Sequence, residues 1–267
     1  MTRDTMRVYE TLKVEIGEGR VGTVTMNRPA ARNAMNTRMM EELRDCFADF
    51  YVNPDAAACL ILTGEGKGFC SGADLKERKG MSDAVWRRQH AVVEQMMRAL
   101  MDCPVPVIAA VNGAAFAGGL ELALGCDFIY AAQSARFALT EVSLGILPGG
   151  GGTQTLQRAV GQRRAKEIVL TGAPFTAGEA VAWGMVNKVC ADDKLLAEVH
   201  AVALRIAANA PVSVRQAKKS IDKATDLDRM TGYAFELEAY NRTVVTEDRQ
   251  EGIAAFNEKR KPQYKGR

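Results

Sequence analysis

An α/β fold is predicted for this chain of 267 residues by three observations. A strand-like run passes through a glycine-punctuated loop into a helix-like run, and does so twice in succession. Each time the glycines stand at the strand's carboxyl end, the switch point at which α/β proteins place ligands. Beyond Gly172 the pattern changes: from about Ala177 to Lys259 it is helical, with one short strand near Val186 to Val189.

Leu12, Val14 and Ile16 alternate, Gly17-Glu18-Gly19 turns the chain, and Val24 and Met26 alternate again, which predicts a β-hairpin. Met39, Met40, Leu43, Phe47 and Phe50 recur at helical spacing after Asn36, a capping residue, and before Pro54. Cys59 to Thr63 is a short apolar strand that leads into the loop Gly64 to Gly72. A second helix carries Val85, Val92, Met96 and Leu100 on one face. Val107 to Val111 is the next strand, and after Asn112-Gly113 a helix can begin near Gly118. Near the end, Thr246-Glu247-Asp248 reads as a cap with first-turn acids, ahead of Ile253, Ala254 and Phe256. A helical tail with so little sheet to cover is expected to pack on another subunit.

Composition narrows the function classes. Hydrophobic residues make up 47% and charged ones 25%, an ordinary globular balance. The net charge of +3 is too small for a dedicated nucleic-acid binder, while leaving room for a local basic pocket. Six scattered cysteines and two histidines show no metal-ligand spacing, so no metal site is expected and the cysteines read as free, buried thiols. The N-terminal Met1 to Arg7 lacks an apolar signal core, and no run approaches the ~20 apolar residues of a membrane span. The expectation is a soluble cytoplasmic protein.

Two glutamates carry the chemistry. Glu121 sits in the apolar run Val111 to Leu124, and Glu141 lies twenty residues later, ahead of Gly149 to Gly152. A carboxylate among leucine, alanine and valine either reaches solvent or is desolvated, and desolvation raises its pKa into the range useful for acid/base work. Each alone is better read as a surface-facing residue. Together in one pocket, the two can divide the adding and removing of protons. The loop Lys67 to Arg78 leaves a strand and enters a helix. Small residues around Ala73 let a substrate approach the free main-chain N–H groups of a helix start, and Gly118-Gly119 offers the same geometry. Two such donors converging on one oxygen form an oxyanion hole. A phosphate loop is excluded because neither glycine stretch has the Gly-x-x-x-x-Gly-Lys-Ser/Thr pattern. Ser71 has no histidine near it in sequence to serve as its base, and Cys70 reads as a small apolar residue.

Phe69-Cys70-Ser71-Gly72-Ala73-Asp74-Leu75-Lys76, Ala109 to Gly113 with Gly118 to Leu122, and Leu147 to Gln154 resemble the crotonase (enoyl-CoA hydratase/isomerase) superfamily. The match runs from Asn27-Arg28-Pro29 to Phe256-Asn257-Glu258-Lys259-Arg260. The resemblance implies a spiral of β-β-α turns over residues 1–200 and a helical trimerisation region over 201–267, assembled as a homotrimer or homohexamer. It implies an enoyl-CoA hydratase of the fatty-acid β-oxidation type that needs no cofactor, coenzyme A being part of the substrate. The thioester oxygen would lie between the N–H groups of Ala73 and Gly118. Glu141 would deliver the α-carbon proton, and Glu121 would orient and deprotonate the attacking water. Arg32, Asp74, Leu75 and Lys76 match the coenzyme A contacts, and Phe256 and Lys259 match a contact often supplied by a neighbouring subunit.

The chain is also similar to methylglutaconyl-CoA hydratases, through Ala73 to Arg78, Gly149 to Gln154 and Glu247 to Gly252. That makes a branched, acidic acyl chain the alternative substrate; it would require a cation in the acyl pocket, which the sequence does not identify. Some relatives in that subgroup bind RNA, but the near-neutral charge and the lack of an aromatic-basic cluster speak against this.

Overall fold

The computed structural model describes residues 8–267; the Met1–Arg7 stretch read above lies outside the described residues. β1 (Leu12–Ile16) and β2 (Val21–Met26) form the expected antiparallel hairpin, with Leu12 opposite Met26. α1 (Thr37–Val52) starts where the Asn36 side chain accepts the Met39 N–H at 3.0 Å, and it buries Met39, Met40, Leu43, Phe47 and Phe50.

Three turns of a spiral follow. The first is β3 (Cys59–Gly64), β4 (Gly68–Cys70), α2 (Leu75–Arg78) and α3 (Asp83–Met101). The second is β5 (Val107–Val111), β6 (Ala114–Phe116) and α4 (Gly118–Gly125). The third is β7 (Phe128–Ala132) and β8 (Arg136–Ala138), then a 3-10 turn over Glu141–Leu144, α5 (Gly152–Val160) and α6 (Gln162–Thr171). β9 (Phe175–Thr176), α7 (Ala177–Ala182), β10 (Lys188–Cys190) and α8 (Leu195–Ala207) complete the core.

Each turn gives one strand to each of two sheets. The six-stranded sheet runs β1-β2-β3-β5-β7-β10 and is parallel from β2 onward. The four-stranded sheet runs β4-β6-β8-β9, with its first three strands parallel. β3 and β5 are buried at every position, as strands covered on both faces must be, and this is why they read as unbroken apolar runs rather than alternating ones.

The structure departs from expectation at four points. The glycine-rich loops after β3 and β5 contain the short strands β4 and β6, whose three residues each are too few to show a period. Val85 is exposed at the solvent end of α3, whose buried face is instead Gln89, Val93, Met96, Met97 and Leu100. The late strand lies at Lys188–Cys190, slightly beyond the expected position. The boundary expected at 200/201 falls within α8, whose Val199 and Ala203 are buried in the core. The helices that leave the core are α9 (Pro211–Ala224), α10 (Arg229–Val244) and α11 (Glu247–Asn257). α9 is fastened to the core by Lys218, which pairs with Asp127 at 2.9 Å and donates to the Val105 carbonyl at 3.2 Å. No single helix among the described residues is long and apolar enough to cross a membrane.

Successive turns stack without room for side chains between them. A Cβ on Gly119 would lie 2.1 Å from the Cys70 carbonyl oxygen, well inside any real contact. Neither backbone can give way without moving a whole strand, so Gly119→Ala is expected to cost about 2–3 kcal/mol of stability. Urea unfolding monitored by far-ultraviolet circular dichroism checks this; an unchanged midpoint would mean that the turns are less tightly apposed than described.

Candidate active site

Close stacking brings two helix starts together. The Met35 N–H donates to the Gly72 carbonyl at 2.8 Å and the Asp74 N–H donates to the Met35 carbonyl at 2.9 Å. This is one parallel bridge between Met35 and Ala73, so the Ala73 N–H points away from Met35. Gly72, at φ +91°, lies against the other start: a Cβ there would sit 2.9 Å from Ala117 Cβ and 3.3 Å from the Gly118 nitrogen. Ala117 precedes α4 with φ 50° and ψ −127°, a strained conformation for a residue with a side chain, and its N–H is held by the Ala138 carbonyl at 2.8 Å. That torsion sets the direction of the Gly118 N–H. Among the described residues, neither the Ala73 nor the Gly118 N–H has a protein acceptor.

Both residues line a cavity of about 460 Å³ that also contains Glu121 and Glu141. Glu121 is buried on the first turn of α4, where one carboxylate oxygen, Oε1, accepts the Gly150 and Gly152 N–H groups, each at 2.8 Å. The glycine run thus acts as a cradle for a carboxylate. Burial raises the Glu121 pKa, and the two N–H donors pull it back toward the ionised form. Glu141 opens the 3-10 turn three residues after β8, and neither of its buried oxygens has a hydrogen-bond partner in the protein. Burial pushes its carboxyl up to about 7, with a further push from the neighbouring charge of Glu121. The two groups therefore share a pocket under opposite treatment, one held by donors and one left bare.

Leu75 also lines the cavity, as a half-exposed apolar edge. Asp74 does not: it caps α2 through the Lys76 and Glu77 N–H groups and pairs with Arg28 at 3.0 Å, which holds its pKa down. Its side chain is committed to shaping the loop. Arg32 and Lys76 are exposed and lie outside the lining, and Phe256 and Lys259 sit at the end of α11, also away from it. Ser71 and His90 both line the cavity, yet no hydrogen bond joins them; His90 instead faces Glu94 at 3.9 Å. Cys70 is fully buried, and burial pushes its thiol up to about 12, which makes it unreactive. All six cysteines are buried and unpaired, as read from the sequence.

Sequence reasoning missed Arg78, Trp86, Arg87 and His90, which bring α2 and α3 to the cavity wall. The available signal was weak: an arginine and a histidine at helical spacing among solvated charges.

A family model described as enoyl-CoA hydratase/isomerase matches residues 17–267. The short-chain-enoyl-CoA hydratase of Clostridium acetobutylicum is 42% identical over 245 residues, covering 91% of this chain and 94% of that protein. The human mitochondrial enoyl-CoA hydratase domain-containing protein 2 is 41% identical over 252 residues, covering 91% and 85%. The crystal structure of an enoyl-CoA hydratase from Bacillus anthracis superposes with a TM-score of 0.94 at 40% identity, covering 97% of this chain and all of that one. The chain belongs to the enoyl-CoA hydratase/isomerase family, and its spiral of β-β-α turns is that family's fold.

A bare, buried carboxyl has a thermodynamic consequence. Its folded pKa of about 7 exceeds the unfolded value of 4.5, so folding takes up a proton and stability falls as pH rises from 4.5 through 7. Glu141→Gln removes the ionisation. Relative to the parent, it is expected to gain about 3 kcal/mol at pH 8 and to show no such gain at pH 4.5. Thermal unfolding at the two pH values reads the difference; a gain independent of pH would contradict the raised pKa.

Proposed function

We propose that this protein hydrates 2-enoyl-CoA thioesters, adding water across the double bond to give the 3-hydroxyacyl thioester. The observation that carries this reading is one cavity containing two carboxyls and two unpaired main-chain N–H groups at adjacent helix starts. As water attacks the β-carbon, negative charge moves onto the thioester oxygen. Fixed N–H dipoles from Ala73 and Gly118 stabilise that charge more than they stabilise the ground state. Glu121, with Oε1 anchored by Gly150 and Gly152, keeps a second oxygen to orient the water and accept its proton. Glu141, poised near neutrality, donates to the α-carbon. No cofactor enters this scheme beyond the coenzyme A of the substrate.

In this reading Arg32 and Lys76 hold the nucleotide end from outside the cavity, with Asp74 and Leu75 shaping the loop between. Phe256 and Lys259 serve a neighbouring subunit's site. Residues Ile221, Met230, Tyr233, Leu237, Tyr240 and Phe256 expose large apolar groups on α9, α10 and α11. Monomeric soluble proteins rarely present a surface of this kind. A homotrimer or homohexamer joined through these helices, in the cytoplasm, completes the proposal; the joining region begins in effect at α9.

Glu121→Gln and Glu141→Gln are each expected to lower kcat at least about 10²-fold while crotonyl-CoA still binds. In the parent, hydration requires Glu141 protonated, so kcat/KM should fall as pH rises past about 7, and the falling limb should vanish in Glu141→Gln. Absorbance of the conjugated thioester follows both. Near-parental turnover in either variant would remove that residue from its role.

Deletion from Thr246 onward is expected to abolish assembly and weaken coenzyme A binding. Light scattering on the intact chain and the truncation tests this. A fully active monomer of the intact 29.0 kDa chain would refute the shared role of the tail.

A further inference from the structure

The hydratase reading gives no role to the basic groups on the cavity wall, of which Arg78 is the one held in place by other side chains. Arg78, at the end of α2, lines the same space as Glu121 and Glu141. Its guanidinium lies 4.3 Å over the Trp86 ring, and its Nε donates to Gln89 Oε1 at 2.8 Å. Gln89 is itself buried and fixed, because its amide nitrogen donates to Thr37 Oγ1 at 2.8 Å and to Glu77 Oε2 at 2.9 Å. Glu77 in turn accepts the Thr37 N–H at 2.9 Å. Stacking and the Nε bond fix the plane of the guanidinium, while its two terminal nitrogens have no protein acceptor among the described residues. Arg87 and His90, from α3, line the same cavity, which thus carries basic side chains from α2 and α3 as well as the two carboxyls.

A guanidinium held in one plane with both terminal nitrogens free matches the two oxygens of a carboxylate. Its partial burial is a cost that the neighbouring Glu77 charge offsets in part, and a ligand anion on the free terminal nitrogens offsets further. The glutamates mark the enclosed part of the ligand as the acyl part, whereas the exposed Arg32 and Lys76 suit a solvated phosphate. We propose that Arg78 reads a carboxylate borne by the acyl chain, so that the preferred substrate is a 2-enoyl thioester with an acid group beyond its double bond. This rests on the hydratase reading for the orientation of the chain, and it supplies the cation that the sequence alone did not identify.

Unreactive saturated thioesters test the recognition apart from the chemistry. By titration calorimetry, glutaryl-CoA is expected to bind the intact protein on the order of 10–100-fold more tightly than butyryl-CoA, the range of a charge-assisted pair. Arg78→Met should erase most of that ratio, and Arg78→Lys should retain part of it. Because the ratio is taken within one variant, a general loss of folding does not imitate the effect. Turnover of glutaconyl-CoA should fall in Arg78→Met at least ten times more than turnover of crotonyl-CoA. Equal binding of the two saturated thioesters to the parent overturns the proposal. So does an equal loss for both in Arg78→Met, which would assign Arg78 to the coenzyme A phosphates or to the fold. If crotonyl-CoA is hydrated and no preference exists, only this inference fails. A preference for glutaryl-CoA without hydration of either enoyl thioester would uphold the carboxylate site and overturn the hydratase reading.

Discussion

The site depends on the contact between the end of β4 and the start of α4. Cys70 and Gly72 from one turn of the spiral lie directly on residues 117–119 of the next, with no side chain between them. That contact fixes the spacing of two main-chain N–H groups whose positions no side-chain rotamer can alter. Because the donors belong to the backbone and the backbone belongs to two stacked turns, their geometry is as stiff as the core itself. A pair of donors of this kind is preorganised by packing and would need no reorganisation to meet a developing negative charge.

The third turn completes what the first two begin. The Ala138 carbonyl at the end of β8 holds the peptide ahead of α4, and three residues later the chain delivers Glu141 to the cavity. The glycine run that follows returns to grip Glu121 through two N–H groups. One segment of chain thus supplies one carboxyl and anchors the other. The difference between them follows from the number of donors each meets: two for Glu121 and none for Glu141. Desolvation acts on both, and the unequal hydrogen bonding separates their protonation behaviour.

Much of this was legible in the residues. The unbroken apolar runs of β3 and β5, the Asn36 and Thr246 caps and the glycines at strand ends are local signals, and the structure bears them out. β4 and β6 were hidden because three-residue strands carry no period and are made by their neighbours. Glu121 and Glu141 stood out as carboxylates in apolar surroundings, yet their fates diverge through contacts 29 and 31 residues away in the chain, which no local pattern contains. Arg78 carries no local sign of its setting, which depends on Trp86 and Gln89 from the following helix. Asp74 is expected among the coenzyme A contacts by resemblance alone, and the cap and ion pair its side chain makes depend on Arg28, which is distant in the chain.

Ala117 bears on how this protein tolerates improvement. Its left-handed φ is the kind of local discomfort that stability-guided redesign seeks out, and glycine is the replacement such a procedure would choose. Glycine would relax the torsion and also widen the set of orientations open to the following peptide, the one that carries the Gly118 N–H. Here strain and precision are the same feature. A sequence optimised for ease of folding at this position would exchange a fixed dipole for a wandering one, so the position belongs among those to leave untouched when the scaffold is reused for other thioester chemistry.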